Sequence, residues 1–274
     1  NEVLPKWTGF GKLNQTYNFS VYIPDSSGIE NVIIDPSYRL GDNYMLNNRL
    51  KGNTKYSINY GVNQHPNWKF YEFKARPAIG YNSYDGIKLG VDMKGGYLGE
   101  HHLINSFFFI NSTFLNNSEY SNKPGNDIIS YGLNYSTALD KYVKNSTFSG
   151  SIKHLDGLDA HSLSLKVQDY QKQNSITIGF KGMIRKEYSD LNYLLNENLW
   201  GPFRNPSENK YNSILSINLS HKYTYVFGDG NIDLSLRSSS WLSDYNFSQL
   251  SLTSINKNKM FGLGIKTRFF AQAG

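Results

Sequence analysis

The chain has 274 residues, 39% of them hydrophobic, and a mean hydropathy of -0.52. It has no run of about 18 apolar residues, which excludes a membrane-spanning helix but not a barrel, whose strands show only half their residues to lipid. There is no cysteine, which excludes disulfides and thiolate metal sites, and the net charge of +6 comes from Lys and Arg scattered singly along the chain, which argues against a nucleic-acid partner.

Residues 1–52 read as the end of an extramembrane β-domain. The chain starts at Asn1 with no leader sequence, so the expectation is a removed signal or a piece of a longer protein. Tyr17, Phe19, Val21 and Ile23 alternate up to Pro24. A turn follows at Asp25-Ser26-Ser27-Gly28, and the apolar run Val32-Ile33-Ile34 then reaches Asp35-Pro36. That spacing predicts a short hairpin. The stretch from Arg39 to Asn48 is polar and turn-rich. Two strands bury no core of their own, so this part is expected to lean on something else. Residues 53–67 are a linker or a first weak strand over Lys55–Val62.

From Trp68 onward, strands follow one another. Tyr71, Phe73, Ala75, Pro77, Ile79 and Tyr81 form one face of the first strong strand; Glu72, Lys74 and Arg76 form the other. The turn Ser83-Tyr84-Asp85-Gly86 leads to Ile87, Leu89, Val91 and Met93 against Lys88, Asp92 and Lys94. A strand around Leu103–Leu115 is apolar on both faces through Phe107-Phe108-Phe109-Ile110. Ile129, Tyr131, Leu133 and Tyr135 alternate next. Further strands are predicted near 144–156, 160–171, 174–186, 212–227, 230–243, 246–257 and 260–272. Their separators are Asp156-Gly157, Gln173-Asn174, Asp229-Gly230, Asp244-Tyr245 and Asn256-Lys257-Asn258-Lys259. The one long break, Glu187–Lys210, has room for a short helix at Asp190–Leu199. About eleven strong strands plus the weak one give 10–12, and an even 12 suits a closed bacterial barrel.

Alternating strands fit a lipocalin-like barrel, a sandwich or a transmembrane barrel. Soluble strands run about 5–6 residues, whereas many segments here alternate for roughly 10, the length of a tilted membrane strand. The tyrosine-rich composition, 21 Tyr and 16 Phe, suits membrane–water interfaces. The expected fold is therefore all-β: an antiparallel transmembrane β-barrel over 68–274, located in the bacterial outer membrane.

Two phrases carry a family resemblance. Ile33-Ile34-Asp35-Pro36, Arg39-Leu40, Asp42 and Leu46-Asn47-Asn48 resemble the phrase that closes the β-domain of large Bacteroidetes proteins related to the M1 aminopeptidases. Arg76-Pro77, Gly80-Tyr81-Asn82, Asp85-Gly86 and Lys88-Leu89-Gly90 resemble the opening of the outer-membrane barrel that follows there, an opening shared with patatin-like barrels. The resemblance covers about residues 32–90. It implies that the chain is the C-terminal membrane part of an M1-peptidase-like protein. The family's zinc motif, His-Glu-x-x-His, is absent, so zinc would belong to a missing catalytic domain. No cofactor, metal ligand or catalytic residue is expected in this chain.

The residues singled out are the polar-face charges expected in a barrel lumen: Glu72, Lys74, Arg76, Lys88, Asp92, Asp233, Arg237, Lys266 and Arg268. They come from the first and last strands, neighbours once a barrel closes. Their cations suit anion selection in a small-solute channel; paired with Glu72, Asp92 and Asp233 they form a salt-bridged plug instead. Glu100-His101-His102 reads as a surface loop rather than half a metal site. Asp156-Gly157-Leu158-Asp159 and Asp229-Gly230-Asn231 read as hairpin turns rather than calcium loops. A phospholipase-type barrel would need a serine beside His154, His161 or His221. The expected function is to anchor a metallopeptidase-like domain or to serve as a non-catalytic subunit of an envelope complex. The expected partners are outer-membrane lipid and other envelope proteins.

Overall fold

The computed structural model describes residue 20 and residues 31–37, 39, 44–59, 67–82, 85–99, 101–112, 128–155, 157–185, 211–244, 246–260 and 263–274, with the backbone alone at 82, 185 and 260. Among the described residues, twelve strands form one sheet in chain order. They are β1 (Thr54–Ile58), β2 (Tyr71–Asn82), β3 (Gly86–Tyr97), β4 (His101–Asn111), β5 (Ile129–Ala138) and β6 (Ser146–Leu155), then β7 (Leu158–Gln168), β8 (Asn174–Arg185), β9 (Tyr211–Tyr225), β10 (Gly228–Ser239), β11 (Ser248–Met260) and β12 (Leu263–Ala273). β1 lies parallel to β2; every later pair is antiparallel. The sheet is open, with β1 and β12 as its two ends. β2 and β12, expected as neighbours once a barrel closes, are not hydrogen-bonded to each other in this sheet.

The alternation sets the register. One face carries the row Leu165, Ile178, Ile217, Leu236 and Leu250 across β7 to β11, and beside it Val167, Ile176, Leu219, Leu234 and Leu252. The opposite face carries Lys166, Thr177, Asn218, Ser235, Ser251 and Gln272 across β7 to β12. A one-residue slip of any strand would throw its apolar set onto the polar face, so each strand reinforces the register of its neighbours. β4 is apolar on both faces, as its sequence predicts. Phe107 sits opposite Gly132 and Phe109 opposite Gly90 on the polar face, where the missing side chains leave room for the rings.

Two turns fall elsewhere than expected. The β9–β10 turn is at Val226 and Phe227, and Asp229 and Gly230 lie inside β10. β11 continues through Asn256–Lys259 to Met260. The reason is a cross-strand row that a turn would break. Tyr223 lies over Gly230 and donates its hydroxyl to Asn256 Oδ1; Tyr225 donates likewise to Asn258 Oδ1. A Cβ on Gly230 would sit 2.6 Å from the Tyr223 ring and 2.7 Å from Asn256 Oδ1. The β7–β8 turn covers Asp169–Gln173, with Asn174 already in β8.

Ahead of the sheet, Ile33 bridges Arg49, and Ile34 N donates to Asn48 O at 2.7 Å. Thus the Val32–Ile34 run pairs with 48–50; its expected hairpin partner, Tyr17 to Ile23, lies outside the described residues apart from Ser20. The polar stretch forms a 3-10 helix, Met45–Asn48. It leans on the sheet as expected of a piece with no core: Met45 N donates to the Tyr97 hydroxyl at 3.1 Å, and Tyr44 meets the Tyr97 ring edge-on at 5.4 Å. Tyr97 in turn donates to Trp68 O at 2.7 Å. The expected helix at Asp190–Leu199 and the Asn116–Asn126 loop lie outside the described residues.

Candidate functional site

Burial in the described residues does not follow hydrophobicity. Among the described residues the buried hydrophobic side chains are Tyr97, Met183 and Ile214, whereas Asp85, Lys88, Asn111, Ser130, Thr137, Ser146, Ser213 and Ser240 are buried and polar. Along β9 the apolar Leu215, Ile217 and Leu219 are exposed, and Ser216, Asn218 and Ser220 between them are half-buried. Ile178 is 54% exposed and Leu236 47%. Along β9 the small polar groups are sheltered while the bulkier aliphatic groups stand out.

Tyrosine and histidine flank the exposed aliphatic band at both ends. At the end where β6 turns into β7, Tyr131 stacks on His154 at 5.3 Å, and His154 pairs with Asp159. Beside them the Tyr211 hydroxyl meets His161 Nε2 at 2.8 Å. At the opposite end the His102 and Tyr135 side chains meet at 2.7 Å, His221 meets Asn174 at 2.6 Å, and Tyr223 stacks between His221 and Tyr225. These side chains pair an apolar ring with a polar tip. Tyr211 and Tyr223 are both on β9, so the collars stand roughly 40 Å apart along the strand.

The singled-out charges fall into two groups on the polar face. On β2 and β3, Lys74 pairs with Glu72 at 3.2 Å, and Arg76 places Nε and a terminal nitrogen 3.1 and 2.9 Å from Asp92 Oδ2. Lys88 forms a buried ion pair with Asp85 at 2.5 Å. Ser130 Oγ bridges Asn111 and Asp85 beside it. Asp85 reads from sequence only as a turn residue; the i,i+3 spacing to Lys88 is the signal that would have found it. On β10 to β12, Asp233 accepts from Asn231, and Arg237 reaches Gln249 Oε1 at 3.4 Å. Lys266 faces Lys257, and the Arg268 guanidinium lies 5.8 Å from the Phe270 ring. The two groups are at opposite edges of the sheet.

Outside the strands, burial raises the Tyr44 hydroxyl above its ordinary pKa of 10.0, helped by Tyr135 and Tyr97. Desolvation works to raise the Asp169 carboxyl in the β7–β8 turn. Hydrogen bonds from the Asn174 side chain and from the Asn174 and Gln173 backbone outweigh it and hold Asp169 below 3.8.

His101 and His102 open β4 rather than lying in a loop; Glu100 is outside the described residues. Gly157, at φ +67°, makes the tight β6–β7 turn, with Asp159 in β7. His154 meets Asp159, His161 meets Tyr211 and His221 meets Asn174. Among the described residues no group of His, Asp or Glu is placed to hold a metal ion, and no helix is long and apolar enough to cross a membrane. No family model, curated protein or solved structure matches this chain.

Proposed function

We propose that the chain is an outer-membrane β-barrel whose work is anchoring: its aliphatic face contacts lipid and its polar face lines a narrow interior. The observation that carries this is the exposed aliphatic band bounded by the Tyr/His collars, over a sheltered Ser/Asn face. In water such a band would be an aggregation hazard; in lipid it contributes about 25 cal/mol per Å2 of apolar surface removed from water. Closure satisfies the backbone groups of the edge strands, which the hydrocarbon leaves without partners. The resemblance over residues 32–90 suggests the cargo, a metallopeptidase-like domain or another envelope protein. The 3-10 helix held on Tyr97 supports it as the joint between such a domain and the sheet. Ion pairing on β2 and β3 favours a filled anchor over an open channel.

Absence of cysteine makes a direct test simple. Single cysteines at Ile217 and Asn218, neighbours on opposite faces of β9, carry an environment-sensitive fluorophore in vesicles with brominated lipid. Lipid quenching is expected at 217 and not at 218. Equal quenching at both positions, or none at either, overturns the reading.

A further inference from the structure

The β12 edge has three properties that belong together. First, all eleven residues from Leu263 to Ala273 are exposed, and the outer edge of β12 pairs with no described strand. Unpaired strand edges are templates for another strand. Second, the edges have the wrong directions to join each other. β2 to β12 run antiparallel in eleven successive strands, so β2 and β12 point the same way, and β1 is parallel to β2. A direct β12–β1 seam would be parallel and only as long as β1, five residues. One inserted strand of opposite direction is antiparallel to both edges at once. Third, the polar face near this edge is basic. Lys257 and Lys266 face each other in register, an unfavourable like-charge pair, with Lys259 and Arg268 beside them. The acid nearest them in register is Asp229, 3.7 Å from Lys257 and well exposed.

We propose that β12 is the docking edge for an extended, acidic strand of a partner polypeptide. The strand runs antiparallel to β12, sets its acidic side chains against Lys266 and Arg268, and sets apolar ones beside Ile265 and Phe269. A second copy of this chain fits less well: an antiparallel β12–β12 pair brings two copies of Lys266 and Arg268 onto one face. The inference rests on the barrel reading for its setting, since the inserted strand is the stave that closes the ring. Main-chain hydrogen bonds would supply affinity and the alternating side chains specificity, as in β-strand addition.

The test uses the full chain in detergent and a fluorescent peptide matched in length to β12 that alternates Glu with Leu or Val. Controls are the same peptide with Lys for Glu, and one with alternate backbone amides N-methylated. Expected are saturable binding of the acidic peptide at least about tenfold tighter than the lysine peptide, weakening with salt, and loss of binding on N-methylation. In K266E/R268E the preference inverts. Equal binding of both peptides, binding that survives N-methylation, or no binding overturns the proposal, as does a stable dimer by light scattering. Lipid quenching at 217 and 218 is read on the same protein after transfer into brominated-lipid vesicles. An intact quenching pattern without peptide binding sinks the docking edge alone; loss of the pattern sinks the barrel reading.

Discussion

Replacing Ile217 by arginine sets the two possible solvents of the aliphatic face against each other. Ile217 is 44% exposed, in mid-strand, between Ile178 and Leu236 in one cross-strand row. If that face meets water, the substitution removes few contacts and stays within about 0.5 kcal/mol, the usual range for a surface change. If it meets lipid, arginine near the bilayer midplane costs about 2–4 kcal/mol, a roughly 30- to 900-fold drop in the folding equilibrium. Asn218→Arg, one residue along, points to the polar face and is expected to cost less than half as much. The assay is equilibrium denaturant unfolding in phospholipid vesicles, followed by tyrosine and tryptophan fluorescence. A loss at 217 below about 0.5 kcal/mol, or a larger loss at 218, refutes the assignment of faces.

Three further outcomes follow from single contacts. Asp85→Ala removes the carboxylate 2.5 Å from Lys88, whose side chain is 6% exposed, so a loss of stability is expected, and Asp85→Leu with Lys88→Met recovers most of it in the same unfolding assay. Gly230→Val drives a side chain into the Tyr223 ring and Asn256, so the denaturant midpoint falls by the equivalent of about 1–3 kcal/mol; an unchanged midpoint would remove the packing account of the β9–β10 turn. Asp169 titrates below 3.8 in the folded chain, so its contribution is fully present above that value and is lost as pH falls through the lower native pKa. Carboxyl NMR shifts check this, and a midpoint at or above 3.8 contradicts the turn geometry.

Strands were legible because their period of two is strict. Ile176, Ile178 and Phe180 alternate with Ser175, Thr177 and Lys181, and the predicted 174–186 differs from β8 by one residue. Even the weak strand over 55–62 survives as β1, shortened to five residues. What failed was local turn chemistry. Asp-Gly at 229–230 is a strong hairpin signal, yet Gly230 is used to seat Tyr223, a contact between residues on different strands that no short window contains. The charges were legible as polar-face residues but not as pairs. Arg76 and Asp92 are 16 positions apart and meet only through the β2–β3 register. The parallel placement of β1 has no signature in a periodicity that is blind to strand direction, and the parity of the edges follows only from topology.

Charge placement also separates the anchor from the channel. Glu72, Lys74, Arg76, Asp85, Lys88 and Asp92 form three ion pairs, so this side of the polar face carries little net field. Such paired side chains fill space and hold β2 against β3; an anion would have to break them to be selected by them. Cations outside these pairs lie across the polar face, among them Lys94 on β3, Lys166 on β7, Lys181 on β8 and Lys222 on β9; those on β11 and β12 are the ones an incoming acidic strand would neutralise. A channel needs those cations to stay available to solutes after the ring is complete, whereas an anchor needs them covered. Single-channel recording in planar bilayers therefore has a definite expectation: no steady anion-selective conductance with the acidic peptide bound. Steady anion current that persists with the peptide bound and is lost in K266E/R268E would reverse this assignment in favour of transport.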